Sequence, residues 1–292
     1  MQTKMLRNFI LMVKFMKIKT IWAGLLLLGV VVATACSDNG ENQAQQYLQK
    51  AEQALKKGNY SEAKLQIDSI RTRYPKAFEA RKKGIRLMQQ IDLAEQQRTL
   101  CFLDSTLAVQ RQLVEDSKEG LLLEKDTAYQ EVGNYVHPRQ TVERTLYRSF
   151  LRGLVDEKGN MTLTSIYWGE RHAHHRAVKV VAKDGTYAET PTSASTYESN
   201  DMGWKIEKTD YALGKDGGVI AFIAMNHGVQ TMKAYYIGER GYVINLRPED
   251  SEAIVKLYKL SQALTALEET KKALEETRRK IAFVERKIKE SN

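Results

Sequence analysis

Cysteine is nearly absent: two in 292 residues, too few for a disulfide framework or a four-cysteine zinc ribbon. Proline is almost as scarce, with four in all, and none falls between Lys76 and Glu119, so no helix there need be broken. The chain carries no phosphate-binding glycine loop, no dinucleotide fingerprint and no nucleophile elbow. A basic patch in the body is also lacking. Of 45 Lys and Arg, set against 36 Asp and Glu, five (Lys4, Arg7, Lys14, Lys17, Lys19) precede residue 36 with no acid among them, which leaves 40 against 36 beyond. The net charge of +9 therefore belongs mostly to the leader, and nucleic acid is not an expected partner. At 42% hydrophobic and 28% charged, the chain can bury a core, which excludes wholesale disorder.

What is present begins at the front. A basic start at residues 17–19 is followed by the apolar run Ile21–Ala33 and the small residues Thr34 and Ala35 before Cys36. This is the layout of a secretory signal, and the run is shorter than the roughly 20 residues of a spanning helix. The tetrad Ala33-Thr34-Ala35-Cys36 resembles the lipobox of bacterial lipoproteins. That resemblance implies that residues 1–35 are a removed signal peptide and that the Cys36 thiol takes a diacylglycerol. The new amino terminus is then N-acylated. No other cofactor is expected. Several acyl chains on one residue anchor stably where one chain is marginal, so a membrane is an expected partner. Ser37-Asp38-Asn39-Gly40-Glu41, with no basic residue before Lys50, resembles the export signal of surface lipoproteins of the Bacteroides group. The expected address is the cell envelope, lipid-anchored in the outer membrane, with the periplasmic face and the cell surface both open.

Residues 36–43 read as a tether. Residues 44–77 then carry Gly58-Asn59-Tyr60-Ser61-Glu62-Ala63, followed by Ile67, Ile70 and Pro75 and preceded by Tyr47, Ala51 and Ala54. This spacing resembles one tetratricopeptide repeat, which implies a helical hairpin, with Ser61 able to cap its second helix. Only one such unit is found, so packing against the next long helix is expected rather than a solenoid.

Two leucine rows follow. Leu93, Leu100, Leu107, Val114 and Leu121 recur every seven residues, as do Leu260, Leu267, Leu274, Ile281 and Ile288. Each row runs about 42 Å at the helical rise of about 1.5 Å per residue. Equal rows on either side of an intervening segment predict an antiparallel zipper, with Leu121 near Leu260 and Leu93 near Ile288. Homo-oligomerisation through the C-terminal helix is the alternative, because a heptad does not choose its partner. Cys101 is expected to be a buried thiol.

Between about 145 and 247 the period shortens. Tyr147–Val155, Met161–Trp168, Ala177–Ala182, Trp204–Lys208, Val219–Met225, Met232–Ile237 and Tyr242–Leu246 read as strands separated by Gly and Asp turns. Thr186–Met202 reads as an exposed loop. The expected fold is α+β: a long antiparallel, coiled-coil-like helical stalk with an inserted antiparallel β domain. Its parts are a stalk helix over 78–125, the β domain with flanking loops over 126–248 and a C-terminal coiled-coil helix over 249–292.

Glu170-Arg171-His172-Ala173-His174-His175 is the densest chemistry. In a strand Glu170, His172 and His174 would share a face, as a transition-metal set requires. A solvated, His-rich hairpin tip is the plain alternative. Asp126-Thr127-Ala128 resembles the O-glycosylation triplet of secreted Bacteroides-group proteins, which would place a glycan on Thr127. No catalytic residues stand out. A non-enzymatic scaffold or binding protein with an envelope protein or glycan partner is expected; a glycan, peptidoglycan or metal-binding module and an envelope hydrolase are the alternatives.

Overall fold

The computed structural model describes residues 40–125 and 131–291, so Cys36 and Thr127 lie outside the described residues. The protein is α+β. Its contacts divide into two compact units, one running to Cys101 and resuming at Glu276, the other Phe102–Glu275.

In the first unit, helix α1 (40–56) turns at 57–59 into α2 (Tyr60–Arg73), and α3 (Phe78–Lys118) follows. Asn59, not Ser61, caps α2. Its side chain accepts from the Glu62 amide at 3.4 Å, because the helix already includes Tyr60 and Ser61. Ala51, Ala54, Ala63, Ile67 and Ile70 form one core with Ala77, just before α3, and with Ala80, Leu87 and Ile91 of α3. The small residues let the helix axes approach closely. At Gly84 a Cβ would lie 3.4 Å from Ile67 Cγ2. Lys64 on α2 reaches Asp92 and Glu95 on α3 at 2.8 and 2.6 Å. The end of helix α6 (Pro248–Glu290) belongs to this unit, where Arg86 and Gln89 donate to Ser291 at 3.3 and 3.4 Å. Cys101 is exposed, contrary to expectation, since Leu100 and Leu103 take the inward positions beside it.

The second unit holds the short helix α4 (Val142–Thr145) and two antiparallel sheets. Sheet A runs β1 (Leu122–Glu124), β2 (Asn134–Val136), β3 (Phe150–Asp156), β4 (Met161–Gly169), β8 (Trp204–Ala212), β7 (Thr196–Asp201). Sheet B runs β10 (Tyr242–Leu246), β9 (Met232–Ile237), β5 (Ala177–Ala182), β6 (Tyr187–Glu189). Their facing residues, among them Leu151, Leu163, Tyr211, Val178, Val180 and Tyr236, share a core with Ile254, Leu257, Leu260 and Leu264 of α6. Leu107, Val114 and Leu121 join the same core. Gly153 makes room for α6: a Cβ there would sit 2.9 Å from Leu257 Cδ1.

Two expectations fail here. Val219–Met225 is not a strand but part of helix α5 (Val219–Asn226), started by Asp216, whose carboxylate accepts from the Ile220 amide at 2.8 Å. Thr186–Met202 is not one loop. It supplies β6 and β7, polar because each lies at the edge of its sheet. Where α6 begins, Asp250 takes both arms of Arg148 at 2.7 and 2.8 Å, and Gln140 lies 3.4 Å from the same carboxylate. Buried Gln140 also bonds Leu151 O and the Gly153 amide at 2.9 and 3.1 Å, standing in for a neighbouring strand along β3.

Candidate functional site

The His-rich segment is not a strand. β4 ends at Gly169 and β5 starts at Ala177, so residues 170–176 cross from one sheet to the other. They wrap around Glu207, which β8 points inward in phase with Thr209 and Tyr211. Glu207 is 0% exposed and accepts five bonds: from the amides of Ala173, His174 and His175 at 2.8, 2.9 and 3.1 Å, from His172 Nδ1 at 3.1 Å and from His175 Nδ1 at 2.8 Å. Three successive amides converging on one carboxylate make an anion nest. His174 supports it by adopting φ 48°, a left-handed conformation unusual outside glycine. Gly238 lets the crossing lie close, for a Cβ there would come within 2.5 Å of Ala173 O. Burial alone would push the Glu207 carboxyl up; the bonds from His175 and the three amides overcome it and hold the group at about 2.

Glu198 on β7 is the register partner of Glu207 on β8. Its carboxylate lies 3.0 Å from His174 Nδ1 and 3.8 Å from His172 Nδ1. The two imidazoles stack, 4.9 Å between centroids and 14° apart. The hydrogen bond to Glu198 raises the His174 pKa, with further help from Glu239 and Glu207. His172, His174, Glu198 and Glu207 together offer ligand atoms within 4.8 Å of one another. Glu170, expected with the two histidines, is not in this group; it sits exposed after the end of β4, where strand alternation has ceased.

His175 faces the other way. Glu207 is acceptor-only when ionised, so His175 Nδ1 carries a proton toward it, and Nε2 lies 2.7 Å from Ser165 Oγ. Ser165, His175 and Glu207 thus reproduce the connectivity of a serine-nucleophile relay. All three are 0% exposed. Tyr211, whose hydroxyl lies 3.5 Å from Ser165 Oγ, and Tyr236, whose ring packs 4.9 Å from His175, help close them over. The Ser165 hydroxyl is closed off from the surface.

The outward face of sheet A is different. Arg152, Leu154, Thr164, Ile166, Lys208 and Asp210 line an open trough of about 350 Å³ with Ser195, Thr196 and Tyr197. In phase with them stand Trp168 and Trp204, their rings 6.2 Å apart, with Tyr147 edge-on to Trp168 at 5.1 Å. Two buried donors of this face, Arg152 Nε and Trp168 Nε1, find no acceptor among the described residues. Glu198, Glu207, Ser165 and this face were not read from the sequence. The one available signal was the row Glu207, Thr209, Tyr211, polar and aromatic at alternate positions, within a strand read as ending at Lys208.

No family model, no curated protein and no solved structure matches this chain. Among the described residues, no helix is long and apolar enough to cross a membrane.

Proposed function

We propose that this chain is a lipid-anchored cell-envelope protein that acts by binding rather than catalysis, and that the outward face of sheet A takes a glycan of the envelope. The helices of the two leucine rows form the stalk that carries the β domain, and Cys36 supplies the anchor. The observation that carries the binding reading is the open trough on the same face as the Trp168–Trp204 aromatic pair. Sugars fit, since hydroxyl and acetamido oxygens accept hydrogen bonds while their CH faces lie on indole rings, which join apolar area to a polar tip.

An envelope hydrolase is the second reading, and the Ser165–His175–Glu207 relay is what favours it. Burial of all three side chains weighs against it, because a nucleophile must come within about 3 Å of the atom it attacks. Cosedimentation of the full chain with purified peptidoglycan, and separately with outer-membrane polysaccharide, tests the first reading. Binding to at least one is expected, falling at least about tenfold in Trp204→Ala and Tyr197→Ala. Equal sedimentation of wild type and both variants would sink it.

A further inference from the structure

The geometry points to a site for a divalent transition metal of the zinc type, held by His172, His174, Glu198 and Glu207 where β7 and β8 meet the 170–176 crossing. It is independent of the glycan-binding face. Three observations lead to it.

The first is charge. Glu198 and Glu207 are opposite one another in register, so two carboxylates share one side of the β7–β8 pair. Like charges directly across a strand pair repel unless something cationic stands between them. The neighbouring Glu239 adds to the same field, as its effect on His174 records.

The second is distance. In a tetrahedral zinc site with donors at about 2.0–2.1 Å, the edge between two donors is about 3.3–3.4 Å. Here His172 Nδ1 lies 3.1 Å from Glu207 Oε1 and 3.8 Å from Glu198 Oε2, and His174 Nδ1 lies 3.0 Å from Glu198 Oε1. These contacts lie near that edge, two of them through different oxygens of Glu198, and all four ligand atoms fall within 4.8 Å of one another. Two imidazoles and two carboxylates are the donors preferred by zinc, copper or nickel over calcium or magnesium, which take oxygen alone.

The third is support behind the ligands. The amides of Ala173 and His174 bind Glu207 Oε1, and His175 binds Oε2, so this carboxylate is fixed before any ion arrives. His174 and Glu198 are 41% and 36% exposed at their side chains, which leaves an entry path. On binding, each Nδ1 gives up its proton, to solvent from an imidazolium or to Nε2 in a neutral ring, and the ion then ties the crossing segment to both strands.

Tag-free full-length protein, stripped with chelator and titrated with zinc chloride by calorimetry, tests this. One equivalent should bind saturably. Glu198→Gln and His174→Ala should weaken binding by at least about 100-fold, whereas Glu170→Gln should not change it. Cobalt should give the intense visible bands of a tetrahedral ion. Failure of the wild type to bind zinc saturably below about 100 µM would overturn the proposal, as would equal affinity in the Glu198 and His174 variants. Should either variant fail to fold, the cobalt spectrum of the wild type decides: weak octahedral bands alone reject the site.

Discussion

His172 and His174 lie ring on ring, 4.9 Å between centroids, although Ala173 between them turns its amide to Glu207. In a strand, residues two apart point the same way but stand about 6–7 Å apart along the chain. The closer stack comes from the left-handed backbone at His174, which folds the segment around the Glu207 carboxylate. Glu207 is thus the organising charge of the crossing.

Replacing Glu207 with Ala should therefore be costly. It strands three amides and the His175 NH in the core, and removing one partner of a buried charged network costs about 3–5 kcal/mol. Urea denaturation checks this. A loss below about 1 kcal/mol would show that the five bonds contribute little.

Acid should act through the same group. The folded pKa of Glu207 is depressed from 4.5 to about 2, so its contribution is present above the unfolded value of 4.5 and is lost as pH falls from there towards about 2. At about 1.4 kcal/mol per unit, the wild type should lose on the order of 3 kcal/mol across that window. Glu207→Gln should be less stable at neutral pH but flatter below pH 4.5. Denaturant midpoints measured from pH 6 to pH 2, with chelator present, report the difference; parallel acid limbs would refute it.

Asp250 offers a test far from the histidines. Its carboxylate takes Arg148 through two bonds and touches Gln140, and only 4% of the side chain is exposed. Arg148→Met leaves that charge buried with one weak partner, and about 3 kcal/mol of stability should be lost. Asp250→Asn combined with Arg148→Met should recover part of it. Thermal or urea melts of the three variants decide.

The relay at Ser165 predicts silence. A fluorophosphonate probe should not label native protein, since the hydroxyl is sealed under Tyr211 and Tyr236. Labelling of wild type but not Ser165→Ala would reopen the hydrolase reading.

Much of the fold was legible in the sequence, for identifiable reasons. β5, β9 and β10 match their expected bounds, because Val, Ile and Tyr runs end at Gly and Asp turns. α5 was misread because Val219-Ile-Ala-Phe-Ile-Ala-Met225 is apolar throughout, and a run with no polar face carries no period to separate helix from strand. β6 and β7 were missed as polar edge strands. In the candidate metal group the two histidines were visible because they are neighbours. Their carboxylates were not, since Glu198 and Glu207 come from 24 and 35 residues further along the chain. Glu170 was chosen by proximity in sequence, and the end of β4 removes it from that face.

The anchor is the claim on which cellular role depends, and metabolic labelling tests it most directly. Cells expressing wild type or Cys36→Ala would be grown with an alkyne fatty acid, separated into membrane and soluble fractions, and the protein in each assayed for label. The account predicts labelled wild type in the membrane fraction and an unlabelled variant that loses its membrane association. Equal labelling and identical partition of the two would contradict it.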